Sequence, residues 1–75
     1  AIAFDRQSGR IVLLAGREHA MIELDSHGAV RAARQLGAQH RQAEGAAILP
    51  DGSLVISDEG ATDRALLTRY PRAHE

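Results

Sequence analysis

The stretch Gln42 to Tyr70 reads QAEGAAILPDGSLVISDEGATDRALLTRY, and it decides the fold. Two short apolar runs flank a Pro-Asp-Gly turn, and an acidic residue stands at the outer end of each run. Apolar runs around a glycine-containing turn are typical of a β-hairpin. Antiparallel pairing across this turn predicts two pairs of facing residues, Ile48 with Leu54 and Ala46 with Ile56.

The rest of the chain repeats this design of short apolar runs between small polar turns. Strands are predicted at Ile2 to Phe4, Ile11 to Leu14, Ala20 to Leu24 and Ala65 to Tyr70. The segment Ala29 to Leu36 is ambiguous, because its residues are strong helix formers at helical spacing. The polar turn before it and the glycine after it favour an edge strand. Together with the hairpin, these segments predict an all-β chain.

An internal repeat indicates the architecture. Placing AFDRQSGRIVLLAG, from Ala3, over AILPDGSLVISDE, from Ala47, aligns Gly9 with Gly52 at an offset of 43 to 44 residues. A period in the low forties that carries four strands is typical of a β-propeller blade. The prediction is a partial β-propeller of about one and three-quarter four-stranded blades. The first blade spans 1–43, and most of a second spans 44–75. A free-standing sandwich or barrel of seven strands is the alternative.

The composition limits how such a chain is stabilised and what it binds. Its 75 residues include no cysteine and only two aromatic residues, so aliphatic side chains must form a thin core. A net charge of −1 provides no basic patch for nucleic acid. No apolar run is long enough to span a membrane, so membrane association is expected only through segments outside this sequence. The expected partners are the remaining blades of a longer chain or other copies of this chain, because isolated blades expose apolar faces and open edges.

Three carboxylates are predicted to meet at one end of the hairpin. Glu44 lies at the entry to the first strand, and Asp58 with Glu59 follows the second. Antiparallel strands place these ends side by side, and Ca²⁺ prefers oxygen ligands of this kind. Glu44, Asp58 and Glu59 are therefore candidate calcium ligands, with Gly45 and Gly60 allowing the backbone to come close. In the alternative interpretation, Glu44 caps a strand and the other two are solvated loop acids.

The other polar residues offer few candidates for chemistry. The histidines lack the spacing of a metal site and lie in predicted loops or in the tail, so exposed imidazoles are expected. They are His19, His27, His40 and His74. Asp63 is a further candidate ligand, or a loop acid beside an arginine. Ser57 lacks the glycine frame of a nucleophile elbow, which argues against triad catalysis.

The hairpin sequence also resembles a known family. QAEGAAILPDGSLVISDEG followed by LLTRYPR is similar to blades of the SdiA-regulated β-propeller family, which carry Glu-Gly, an apolar pair, Asp-Gly and a Leu-x-Ile-Ser-acidic run. The first half of the chain looks like the preceding blade, without the Glu-Gly expected before Ala1. The SDEG run also resembles the esterase-like phytases.

This resemblance implies a bacterial protein of the periplasm or cell envelope with a calcium site. The predicted function is a fragment of an extracytoplasmic β-propeller that acts as a calcium- or partner-binding module. The alternative is a calcium-dependent hydrolase of the phosphoesterase or lactonase type, in which calcium held by Glu44 and Asp58 activates a water molecule. His40 is the nearest candidate for the base that this reaction needs.

Overall fold

The computed structural model of the chain describes residues 1–59 and 65–72. Over these residues the chain is all-β, with seven strands and no helix. The strands are β1 Ile2–Phe4, β2 Ile11–Ala15, β3 Ala20–Leu24, β4 Val30–Gln35, β5 Ala43–Ile48, β6 Leu54–Asp58 and β7 Leu66–Tyr70. Strands β1 to β4 form a four-stranded antiparallel sheet in chain order, and β5 to β7 form a three-stranded one. The described residues therefore contain no helix suited to crossing a membrane.

The segment with helical propensity forms the edge strand β4. It pairs with β3, for example through Ala33 and Ile22, with an irregularity between Glu23 and Leu24. Helix propensity differs by only about 0.7 kcal/mol per residue among ordinary residues, so pairing with a neighbouring strand outweighs it. The prediction of an edge strand is confirmed.

Three of the hairpin turns share one local design. Asp5, Asp25 and Asp51 each accept a hydrogen bond from the backbone N–H two residues further along the chain. A glycine with a φ between 78° and 87° lies in each turn, a region that residues with a Cβ rarely adopt. Because this chemistry is local, it positions the turns without help from the rest of the fold.

The two sheets are built alike. In the three-stranded sheet Ile48 pairs with Leu54 and Ala46 pairs with Ile56, which confirms the predicted register of the hairpin. In both sheets the second strand follows one of the aligned turn glycines and pairs with a strand on each side. The chain passes from one sheet to the other in the segment 36–42. The sequence repeat therefore corresponds to a repeated antiparallel meander.

The core lies between the two sheets. Its buried apolar side chains come from β1 and β2 in one sheet and from β5 and β6 in the other. They are Ala3, Val12, Leu14, Ala43, Leu54 and Ile56. Among the seven described strands, Cα atoms of the two sheets come within 8 Å of each other where β5 meets β1 and β2. On the far side, a cleft of about 750 Å³ opens between β3–β4 and β6–β7. The sheets thus converge at their first strands and diverge toward their last.

Candidate functional site

A β-bulge shapes the end of the hairpin at which the carboxylates were expected to meet. The pairing of β5 with β6 shifts there, so that Gly45 faces Ser57 and Ala43 faces Asp58. A bulge places one extra residue on one strand, and here that residue is Glu44. An unshifted register would set Glu44 directly opposite Asp58, as the hairpin pattern alone predicts. The bulge separates these two side chains.

Glu44 and Glu59 come together on the protein surface. Both side chains are exposed. A hydrogen bond between the two carboxyl groups, together with the repulsion of their charges, raises the pKa of Glu44 above its ordinary value. Two of the three predicted calcium ligands are therefore close enough to interact.

Asp58 points into the protein instead. Its residue surface is only 4% exposed. Its Oδ2 lies 2.6 Å from Nδ1 of His40, and its Oδ1 accepts a hydrogen bond of 3.2 Å from the backbone N–H of Gln42. Over 1–59 and 65–72, no three His, Asp or Glu side chains are grouped in a way that would hold a metal. The three candidate ligands are not gathered at one point, and calcium binding stays a prediction.

The buried His40 is the centre of a polar network. Its second ring nitrogen, Nε2, is hydrogen-bonded to the hydroxyl of Tyr70, and that hydroxyl accepts a 2.8 Å hydrogen bond from Nε2 of Gln39. Its backbone carbonyl lies 3.2 Å from Nδ1 of His19. The network joins the segment between the sheets to β6, to β7 and to the β2–β3 turn.

The hydrogen-bond roles in this network follow from the chemistry of its members. An ionised Asp58 carboxylate can only accept, so Nδ1 of His40 carries the proton. The Nε2 atom of His40 then shares a hydrogen bond with the hydroxyl of Tyr70, which itself accepts from Gln39. Each of these hydrogen-bonding groups therefore has a partner, as buried polar groups require. The arrangement fits a network that stabilises the fold.

The expectation that His40 is exposed was wrong. The residue is 1% exposed, because both ring nitrogens bind groups on the inner face of the three-stranded sheet. In this arrangement neither nitrogen is open to a water molecule, so the imidazole does not offer the base that a hydrolase needs. His19 and His27 are exposed, as predicted. The remaining candidates, Gly60, Asp63 and His74, lie outside the described residues.

One signal in the sequence could have revealed the network. Once Leu54 and Ile56 are assigned to the inner face of β6, alternation places Asp58 on that face as well. A carboxylate in the interior requires a donor. His40 lies three residues before the paired strand β5, close enough to supply this donor.

Comparison of the chain with known protein families, with curated proteins and with solved structures finds no match. The interpretation of its function therefore rests on the geometry of the chain itself.

Proposed function

We propose that the chain is a two-sheet segment of an extracytoplasmic β-propeller of the bacterial periplasm or cell envelope, and that it acts as a partner-binding module with a calcium site as a second role. One observation carries this proposal. The two sheets are equivalent by sequence repeat, yet they meet through opposite faces.

The burial pattern of β2 and β6 supports this statement. In β2 the buried side chains are Val12 and Leu14, whereas in β6 they are Leu54 and Ile56. The repeat aligns Leu54 with Ile11, which is only half-buried. Ile11 lies on the face of β2 opposite to the buried residues Val12 and Leu14. The buried face of one sheet therefore corresponds to the outward face of the other. Such a contact is head-to-tail, or heterologous, rather than symmetric.

A head-to-tail contact leaves a complementary face at each end of the pair. The array grows until the rotation between neighbours closes a ring, or it stays open. Here the sheets converge at β1 and β5 and diverge toward β4 and β7, which favours a ring with the first strands nearest its centre. A ring of radially arranged four-stranded sheets is a β-propeller.

The outer face of the four-stranded sheet, the one turned away from the three-stranded sheet, supports a binding role. Two rungs of paired residues cross it, and every residue in them is apolar. One rung contains Ile2, Leu13, Ile22 and Ala33, and the other contains Phe4, Ile11, Leu24 and Val30. Three of these residues, Ile2, Phe4 and Val30, are 65%, 56% and 65% exposed. A contiguous apolar patch of this kind marks an interaction surface.

The calcium role rests on a smaller set of ligands than the sequence predicts. Glu44 and Glu59 are adjacent, but Asp58 is engaged by His40. A calcium ion at this position would take the two glutamates, and backbone carbonyls or water would complete its six to eight ligands. The geometry does not support the alternative of a hydrolase, because its candidate base, His40, is buried and both of its ring nitrogens are hydrogen-bonded.

Distances between spin labels test the proposed ring geometry. The chain lacks cysteine, so labels can be attached to introduced cysteines alone. One pair, Ile2→Cys with Ala47→Cys, spans the first strands, and a second pair, Ala33→Cys with Leu67→Cys, spans the outer strands. All four sites lie on outward faces. If the sheets diverge in the way that propeller blades do, the second pair of labels should be clearly further apart than the first. Labelled chain is diluted with unlabelled chain, so that the distances are those within one chain. Equal distances would indicate an aligned sandwich and would overturn the proposal.

A further inference from the structure

We infer that the outer face of the four-stranded sheet binds the outer face of the three-stranded sheet of a second copy of this chain. This inference rests on the proposed function, since it assumes that the head-to-tail contact within the chain can be repeated between chains. The outer face of the three-stranded sheet is the one turned away from the core, and Ala47, Val55, Ser57, Leu67 and Arg69 lie on it.

The outer face of the three-stranded sheet resembles the inner face of the four-stranded sheet, which is one of the two surfaces in contact inside the chain. The four-stranded sheet contributes Ala3 and Val12 to the core, and these two residues are directly paired across β1 and β2. The repeat places Ala47 over Ala3 and Val55 over Val12, and Ala47 and Val55 are likewise directly paired. A small residue beside a valine, which lets the sheets approach closely, is therefore present on both surfaces.

The outer face of the four-stranded sheet in turn resembles the inner face of the three-stranded sheet. The three-stranded sheet contributes Leu54 to the core, with its paired neighbour Ile48 packed against it. The equivalent pair in the four-stranded sheet is Ile11 with Phe4, on the exposed outer face. At these two pairs of positions the free faces thus carry the same kinds of residues as the faces already in contact. A second copy supplies the surface that each free face fits.

Charged groups beside the two surfaces also correspond. Next to the contact inside the chain, Arg10 pairs with Glu23 at 2.9 Å and reaches the carbonyl of Gly52 in the other sheet at 3.5 Å. On the outer face of the three-stranded sheet, Arg69 pairs with Asp51 at 2.9 Å. Glu23 faces Val12 and Arg69 faces Val55, so these two charged residues occupy corresponding positions with opposite charges, each paired with a residue of a neighbouring turn. A guanidinium is thus available beside the second contact too.

Closure limits the size of the assembly. Rings of radially arranged sheets contain roughly four to eight sheets, so chains with two sheets each close as about two to four copies. Each contact within such a ring uses one free face from each of two neighbouring copies. Blocking either face on every chain therefore prevents assembly.

Two variants that block different faces test the inference. Ile2→Glu places a charge on the outer face of the four-stranded sheet, and Ala47→Glu places one on the outer face of the three-stranded sheet. Both residues are exposed in the single chain, so each variant should fold, which far-UV circular dichroism checks. Ala38→Glu, in the exposed segment between the sheets, is the matched control.

Analytical ultracentrifugation at several concentrations gives the expected outcome. The wild-type chain and Ala38→Glu form the same closed oligomer, whereas Ile2→Glu and Ala47→Glu are each monomeric, with association weakened at least about tenfold by burial of an unpaired charge. An equal mixture of these two variants forms dimers and nothing larger, because each contributes the one face that the other lacks.

Two outcomes would overturn the inference. A folded wild-type chain that stays monomeric at several hundred micromolar would show that copies do not bind each other. The proposed propeller segment would still stand, because the spin-label distances within one chain test it separately. A dimer that Ala47→Glu retains and Ile2→Glu abolishes would show a symmetric contact between two four-stranded sheets, which contradicts the head-to-tail arrangement.

Discussion

A single histidine holds three parts of this chain together. His40 lies in the segment between the sheets, and its ring joins Asp58 at the end of β6 to Tyr70 at the end of β7. A chain with so few large apolar residues gains specificity from such a network, because an incorrect arrangement would leave buried polar groups without partners. The network is therefore the most sensitive point of the three-stranded sheet.

Replacing the histidine should cost more stability than its volume suggests. His40→Ala leaves the Asp58 carboxylate buried with one hydrogen bond fewer, and an unsatisfied buried group costs about 1–3 kcal/mol. The control, His27→Ala, alters an exposed turn residue and should change the free energy of unfolding by less than about 0.5 kcal/mol. Urea denaturation of both variants checks the prediction. Equal stability of the two variants would show that the network contributes nothing.

The paired glutamates give a pH dependence with a definite sign. The pKa of Glu44 is raised in the folded chain, so the charged form destabilises the fold at a pH above that pKa. The penalty disappears as the pH falls below the ordinary value of 4.5. Without calcium, Glu44→Gln should therefore melt at a higher temperature than wild type at pH 7, and the difference should vanish below pH 4.5. The exposed Glu18→Gln is the control.

The wild-type chain and Glu44→Gln also test the proposed calcium role. A cation that binds only the folded state stabilises it by RT ln(1 + L/Kd), where L is the free cation concentration, so the effect grows with that concentration. Millimolar Ca²⁺ should raise the melting temperature of wild type at pH 7, and this gain should be lost in Glu44→Gln. A wild-type melting temperature that does not respond to calcium would refute the calcium prediction and leave the partner-binding proposal untouched.

At the scale of the elements, the contact between the sheets depends on the close approach of β5. The β2–β3 turn contains Gly16, and a Cβ on this residue would collide with the backbone carbonyl of Ala43 at the start of β5. A backbone atom within a sheet cannot move aside as a side chain can. Gly16 therefore lets the two sheets converge where their first strands meet.

A pair of glycine substitutions measures this effect. Gly16→Ala should destabilise the chain by about 1–3 kcal/mol, because overpacking forces the sheets apart. In Gly37→Ala the added methyl group meets only the end of the Gln39 side chain, which can rotate away at a cost of at most about 1 kcal/mol. Thermal or urea unfolding should place Gly16→Ala below Gly37→Ala in stability. The reverse order would show that the sheets are not tightly apposed at this turn.

The strands and turns could be predicted from the sequence because their chemistry is local. Aspartate side chains and glycines specify the turns, and alternation specifies the register from Ile48 to Leu54. The bulge at Glu44 could not be predicted in this way. The run AEGAAI has no alternation of its own, and the bulge puts Ala43 and Ala46 on the same inner face. That choice depends on the opposite sheet, which a local pattern does not contain.

The candidate site was only partly predictable for the same reason. Glu44 and Glu59 were expected to be close, and the interaction that raises the pKa of Glu44 is consistent with this expectation. The burial of Asp58 depends on His40, which lies 18 residues earlier in the chain and outside any strand. The spacing of the histidines does not identify this partner, although the alternation along β6 indicates that Asp58 needs one.

At the scale of the whole molecule, residues 1–59 and 65–72 cover one face of each sheet and leave the other face open. Among the described residues the apolar core is made of alanine, valine, leucine and isoleucine side chains, and they leave the apolar outer face of the four-stranded sheet uncovered. Covering that face would add apolar burial to a chain too short to bury much of its own surface. The free faces thus account for both the modest core and the expected need for a partner.

Rates of thiol labelling at equivalent positions test most directly whether equivalent sheets meet through opposite faces. Single cysteines at Ile11 and Leu54 form one equivalent pair, and those at Val12 and Val55 form the other. At concentrations too low for association, cysteines at Leu54 and Val12 should react slowly and those at Ile11 and Val55 quickly, so that protection is opposite within each pair. Equal protection within each pair would mean that the sheets meet through the same face, which contradicts the head-to-tail arrangement.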